Sequence, residues 1–66
     1  MKRWDERISA DVVDQHIDTF LSRLVDLYQE FNISLSHEDE HGGFRIERFD
    51  PDNIGWIEEA SISKRY

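Results

Sequence analysis

Two histidines four residues apart carry the spacing in this chain that is most typical of a catalytic site. Residues 37–41 read H-E-D-E-H, which satisfies the H-E-x-x-H pattern of zinc metalloproteases. That chemistry requires a helix that turns both imidazoles toward one metal ion. Here an alternating segment precedes His37 and two glycines follow His41. We therefore predict a polar hairpin tip, and a metal-dependent hydrolase that uses His37, Glu38 and His41 is a remote alternative.

The length of the chain also argues against an enzyme. A chain of 66 residues buries only about 60% of the surface that it exposes when unfolded, which leaves little material for a supported catalytic cavity. The sequence contains no cysteine, so it has no thiolate metal site and no disulfide. No G-x-S-x-G motif and no phosphate-binding glycine loop is present either. We predict a protein that is not an enzyme and that needs no cofactor and no metal.

Apolar residues never occur in runs longer than two. The sequence therefore contains neither a membrane span nor the apolar core of a signal peptide. The absence of cysteine fits a reducing compartment. We expect a soluble protein of the cytoplasm that does not bind membranes.

Acidic residues dominate the charge of the chain. Fifteen acidic and eight basic residues give a formal net charge of −7. Between residues 8 and 63 three arginines oppose thirteen acidic residues, so this stretch carries −10. Such a field repels nucleic acid and attracts basic protein surfaces. The charge argues against direct nucleic-acid binding. A requirement for solubility alone would explain the excess of acidic residues equally well.

A long amphipathic helix is the element that would position most of the acidic residues. Apolar residues recur at steps of three and four from residue 10 to residue 31, which predicts one helix over 10–31. Ser9 or Asp11 is its expected N-cap, and Asn32 is its expected left-handed end. Residues 1–8 are expected to form a flexible arm. The predicted apolar stripe consists of Val13, Ile17, Phe20, Leu24, Leu27, Tyr28 and Phe31.

A β-hairpin is predicted after this helix. Residues 33–37 and 44–49 alternate between apolar and polar side chains, and Gly42-Gly43 between them permits a tight turn. The apolar face of the hairpin is expected to pack on the helix. This face consists of Ile33, Leu35, Phe44 and Ile46.

A second helix over 51–60 is predicted to close the domain. Asp50 is its expected N-cap and Pro51 its first residue, while Gly55 keeps an extended third strand open as the alternative. Residues 61–66 are expected to be a frayed tail. The prediction is one α+β domain in the order α-β-β-α.

Acidic residues also recur at steps of three and four on the predicted helix, opposite its apolar stripe. Successive carboxylates would stand roughly 4.5–6 Å apart along the axis, with only Arg23 near enough to neutralise them. An unneutralised row of this kind would mimic nucleic-acid phosphates and dock on a basic protein surface. The row consists of Asp11, Asp14, Asp18, Ser22 and Asp26. The predicted partner-binding residues are Asp11, Asp14, Asp18, Asp26, Glu30, Glu38, Asp39 and Glu40.

Residues 27–60, about half of the chain, resemble small acidic proteins encoded by phages and prophages of bacteria. The residues that carry the resemblance are I-S-x-S-H-E-D from Ile33, G-x-F-x-I-E from Gly42 and D-N-I-x-W-I from Asp52. The resemblance implies the cytoplasm of a bacterial host and a protein that inhibits or modulates a host protein. Some anti-CRISPR proteins act in this way by occupying nucleic-acid sites on their targets.

Two functions are therefore expected. The first is a non-catalytic inhibitor or modulator of the phage type, whose acidic surface docks on a basic, nucleic-acid-binding site of a host protein. The alternative is a structural or assembly accessory, or a dimerising interaction protein, that uses apolar surface. A two-stranded hairpin leaves both of its edges open, so a homodimer through a strand edge or the helix stripe is also compatible with the sequence.

Overall fold

A computed structural model of the chain describes residues 1–37 and 39–66. Within these residues the fold is α+β, with two helices and two antiparallel hairpins. The α+β class is confirmed, but the order α-β-β-α is wrong because a hairpin precedes the first helix. The elements are β1 (Lys2–Asp5), β2 (Ala10–Val13), α1 (Gln15–Phe31), β3 (Ile33–Ser36), β4 (Arg45–Arg48) and α2 (Asp52–Glu58).

The first eight residues belong to this N-terminal hairpin and are not a flexible arm. Arg3 of β1 lies opposite Val12 of β2. The carboxylate of Asp5 fastens the turn, because it accepts hydrogen bonds from the backbone and the side chain of Arg7 at 2.9–3.0 Å. Arg3 and Asp5 are buried on the inward face. Sequence periodicity did not find β1 because its inward side chains are charged.

The helix α1 begins at residue 15 rather than at residue 10. Asp14 has an extended backbone, and its side chain accepts hydrogen bonds from two backbone N–H groups of the first turn. Asp14 is therefore the N-cap, and the predicted caps Ser9 and Asp11 are wrong. Ser9 instead has a positive φ of 52° next to β2. The predicted left-handed end is confirmed, since Asn32 has φ 54° and ψ 39°.

The predicted second hairpin is formed by β3 and β4, but it presents the opposite face to the protein. Leu35 pairs with Ile46, as the alternating pattern requires. Ser34 and Ser36 are buried, whereas Ile33 is 44% and Ile46 73% exposed. The expectation that the apolar face packs on the helix is therefore wrong.

A hydrogen-bonded network holds the polar face of this hairpin inward. The side-chain amide of Asn53, which is buried in α2, donates to Ser34 Oγ and to Glu47 Oε1 at 2.8 Å each. Buried polar atoms with partners of this kind cost little, while leaving them unpaired would be expensive. Since side chains alternate along a strand, turning the serine side inward turns Ile33 and Ile46 outward.

The C-terminal residues are more ordered than the sequence suggested. α2 is a helix over Asp52–Glu58 and not a third strand; it is shorter than the predicted 51–60, and its N-cap is Pro51 rather than Asp50. Asp50 Oδ1 accepts a hydrogen bond from Asp52 N–H at 3.0 Å. The expected frayed tail packs on β1 instead. Ile62 is buried, and its N–H donates to the carbonyl of Trp4 at 2.8 Å. Neither helix in the described ranges is both long enough and apolar enough to cross a membrane.

Candidate interaction surface

The two histidines of the H-E-D-E-H segment lie in different surroundings. The ring of His37 lies 4.7 Å from that of Trp56, between centroids, at the edge of α2. His41 lies at the exposed tip, where its Nε2 is 3.6 Å from Glu40. Glu38, also predicted to bind a partner, lies outside the described residues. Among residues 1–37 and 39–66 no three potential metal ligands lie close together.

Asp39 closes the tip of the hairpin. One oxygen of its carboxylate accepts from the backbone N–H groups of Gly43 at 3.0 Å and His41 at 2.8 Å. The hydrogen bond from Gly43, followed by that from His41, lowers the pKa of Asp39 below its ordinary value. Glu40 is exposed and makes no comparable contact with the backbone. Of the two described carboxylates at the tip, that of Asp39 shapes the turn and that of Glu40 is exposed.

The row of unneutralised aspartates predicted for one helix face does not form. Asp11 belongs to β2, where it lies opposite Trp4. Asp14 caps α1, and Asp18 is half-buried in ion pairs. The row was predicted from a helix starting at residue 10, and the true start removes its first two members. Asp26 and Glu30 stay exposed on α1 one turn apart.

Arg3 holds Asp18 and the end of α2 together. Its side chain is buried and donates to Asp18 Oδ1 at 2.7 Å and to the carbonyls of Glu58 and Ala60 at 2.9 Å each. The hydrogen bond from Arg3, with a second from the amino group of Met1, lowers the pKa of Asp18. The sequence analysis missed this cluster because Arg3 lies in a charged segment without a recognisable period.

The apolar side chains of α1 are divided between the interior and the solvent. Tyr28 of the predicted stripe is buried, as is Leu21, which lies outside the stripe, and Ile62 is the remaining large apolar residue that the described chain buries. Phe20 and Phe31, on the adjacent edge of the same helix, are each 64% exposed. The core is therefore small, and part of the predicted stripe faces outward.

The chain passes from the exposed edge of α1 directly into β3, and the outward face of the second hairpin also carries exposed apolar side chains. Phe31 and Ile33 flank Asn32, where the chain passes from the helix into β3. We call the five exposed side chains along this path the apolar surface. It consists of Phe20, Leu27, Phe31, Ile33 and Ile46, which are 44–73% exposed. At roughly 150–250 Å² for a large side chain, these residues offer on the order of 500 Å². Exposed apolar area of this extent is often part of a binding site when it is contiguous.

A shallow groove adjoins this surface at Phe20. It has a volume of about 500 Å³ and lies between α1 and the C-terminal segment. Its apolar lining includes Ile17, Phe20, Ile62 and Tyr66. The only titratable side chains along it are those of His16 and Tyr66. Such a groove can receive an apolar side chain.

No protein-family model matches this sequence, and neither a curated protein nor a solved structure matches it. The apolar surface, the groove and the remaining free carboxylates are therefore the features from which a function can be inferred.

Acid will destabilise the fold through two aspartates. Hydrogen bonds from Arg7 lower the pKa of Asp5, and hydrogen bonds from Arg3 and the amino terminus lower that of Asp18. Because the pKa of each aspartate is lower in the folded protein than its unfolded value of about 3.9, each ionised carboxylate stabilises the fold at pH values above about 3.9. This contribution is lost as the pH falls from about 5 through the pKa of the folded state. Urea denaturation at pH 7 and at pH 3.5 should show the loss. The variant Asp18→Asn should show a smaller difference between the two pH values, and an unchanged difference would contradict the assignment to Asp18.

Proposed function

We propose that this protein is a non-catalytic interaction protein that binds another protein through the apolar surface. The observation that supports this most directly is the inverted placement of apolar residues. Ile33 and Ile46 face outward beside the exposed edge of α1, while serines of the same hairpin are buried. Exposing this much apolar side chain costs solubility, and a partner that covers it removes the cost.

The partner is a protein with an apolar groove and a basic rim. Asp26 and Glu30 are exposed on α1, and Glu30 lies next to Leu27 in helical spacing. Together with the net charge of −7, these carboxylates would speed the approach to a basic surface. In this proposal apolar burial supplies affinity and acidity supplies association rate. Inhibition of a host protein in the bacterial cytoplasm, as the resemblance implies, is the setting in which the contact would act.

Docking by acidic residues alone is the weaker candidate. It depended on a continuous row of free carboxylates, and Asp14 and Asp18 are occupied in capping and ion pairing. The two modes differ in their response to salt, because exposed charge pairs are screened and apolar contacts are not.

The test uses affinity capture from a bacterial lysate, followed by measurement of Kd with the retained protein after its purification. The apolar variant carries Phe20→Asp and Phe31→Asp, and its matched control carries Thr19→Asp and Gln29→Asp, which add the same charge at exposed positions of α1. We expect the apolar variant to lose the retained protein at low and high salt and the control to keep it. Circular dichroism checks that both remain folded.

A third bait carries Asp26→Lys and Glu30→Lys. We expect it to bind its partner more slowly but to keep it at high salt. The proposal would be contradicted if the retained protein were lost with this bait and at high salt but still bound the apolar variant. That result would favour docking by acidic residues.

A further inference from the structure

β4 is the strand of the described residues in which every residue is exposed. The sheet that it forms with β3 has two strands, and all four residues of β4 are exposed. The sequence of the strand is R-I-E-R, so its side chains carry both signs of charge and include one large apolar residue. An open edge of this kind is a template for another strand.

The hydrogen bonds of the hairpin determine which backbone groups of β4 point away from β3. The N–H of Phe49 donates to the carbonyl of Asn32 at 3.0 Å, at the register continued from the strand pairs. Antiparallel pairs alternate between hydrogen-bonded and non-hydrogen-bonded, so Ile46 and Arg48 fall in non-hydrogen-bonded pairs with β3. Their N–H groups therefore point outward.

We propose that a second copy of this chain pairs with this edge in antiparallel orientation, about a two-fold axis at Ile46. Two hairpins would then form one four-stranded sheet. Ile46 would lie beside Ile46 of the partner subunit, and Arg45 would lie opposite Glu47 of the partner subunit. Phe44 would lie opposite Arg48 of the partner subunit, where a guanidinium can stack on the ring.

Backbone geometry and charge together select this register. If the two-fold axis passed between two residues, each outward-pointing N–H group of one β4 would lie opposite a residue whose backbone groups point back toward its own β3. A hydrogen-bonded ladder cannot form in that register. An axis at Glu47 would place that glutamate against its own counterpart, and an axis at Arg45 would do the same with two arginines. Like charges directly opposite each other destabilise a strand pair. The axis at Ile46 alone among these sets opposite charges against each other.

The interface would be small. The N–H of Ile46 would donate to the carbonyl of Ile46 of the partner subunit, and the N–H of Arg48 to the carbonyl of Phe44 of the partner subunit. The carbonyl of Arg48 already accepts from Ser34 Oγ at 3.3 Å, so it adds little. Short edge contacts fall at the low end of specific interfaces, so we expect a weak dimer whose population rises with protein concentration. This proposal shares Ile46 with the apolar surface but uses the strand edge, and it does not depend on Phe20, Leu27, Phe31 or Ile33.

Charge reversal in pairs tests the register by sedimentation velocity over a concentration series. Arg45→Glu turns both cross-strand ion pairs into repulsive ones, which should raise the dimer Kd by about tenfold or more. Adding Glu47→Lys to Arg45→Glu restores opposite charges, and we expect the dimer Kd to return to within about threefold of wild type. Arg23→Glu makes the same change in net charge at an exposed position of α1 and should leave the dimer intact.

Cross-linking supplies a second readout, because Glu47 also accepts a hydrogen bond from Asn53 and the double variant can lose stability. With a short thiol-to-thiol reagent, Ile46→Cys should form a covalent dimer much faster than Thr19→Cys, which lies on α1. A wild-type protein that stays monomeric throughout the series would overturn the proposal. Equal effects of Arg45→Glu and Arg23→Glu, or equal cross-linking at positions 46 and 19, would also overturn it. The variant with Phe20→Asp and Phe31→Asp should still dimerise, which separates this result from the function proposed above.

Discussion

Replacing Leu21 with alanine should lower the free energy of unfolding by about 3 kcal/mol. Leu21 is only 6% exposed and is one of three large apolar side chains that the described chain buries. A chain of this size has a total stability of roughly 3–10 kcal/mol, so the variant should lose about a third or more of that stability. Urea denaturation followed by circular dichroism at 25 °C measures the change.

Phe20→Ala is the matched comparison, one residue earlier on the same helix. It removes a larger side chain, but because most of that side chain is exposed we expect a cost below about 1 kcal/mol. Similar losses for both variants would mean that Phe20 belongs to the core. The division of α1 into a buried and an exposed apolar edge would then be wrong, and the apolar surface would lose one of its two phenylalanines.

The periodicity of α1 could be read from the sequence, but the direction in which the stripe faces could not. Steps of three and four identified Phe20, Tyr28 and Phe31 as one stripe, and the structure shows a helix through all three. The stripe did not include Leu21, which is buried, while Phe20 and Phe31 are exposed. A wide stripe can be covered from either edge, and which edge is covered depends on segments distant in sequence, such as the one containing Ile62.

The hairpin of β3 and β4 illustrates the same limit in another form. The alternating sequence pattern located both strands and their pairing. It predicts which face of the hairpin points inward only if the apolar side chains must be buried within the monomer. Here Asn53, which is distant in sequence, satisfies Ser34 and Glu47 and makes the polar side the inner one. The sequence signal that could have indicated the inward polar face is a pair of serines at alternate positions of the strand, together with an asparagine on the helix that follows.

Loss of Arg3 should have an effect as large as that of Leu21, because the buried Arg3 side chain joins β1 to the end of α2. Arg3→Ala removes two charged hydrogen bonds to the carbonyls of Glu58 and Ala60, and these carbonyls then lose their partner. Such bonds contribute about 1.5–3 kcal/mol each, so we expect a loss of about 3 kcal/mol. The melting temperature should fall by more than about 10 °C.

Lys2→Ala is the control for this change, because it removes the same charge from the neighbouring exposed residue of β1 and should cost less than about 0.5 kcal/mol. Arg3→Lys keeps the charge beside Asp18, but one ammonium cannot reproduce the fork that joins Asp18 to both carbonyls, so it should recover only part of the loss. Arg3→Ala should also reduce the acid sensitivity assigned to Asp18, since the main cause of its lowered pKa is removed. An Arg3→Ala protein with wild-type stability would mean that β1 is not needed to hold the end of α2, and the first eight residues would then behave as the loose arm that their sequence suggests.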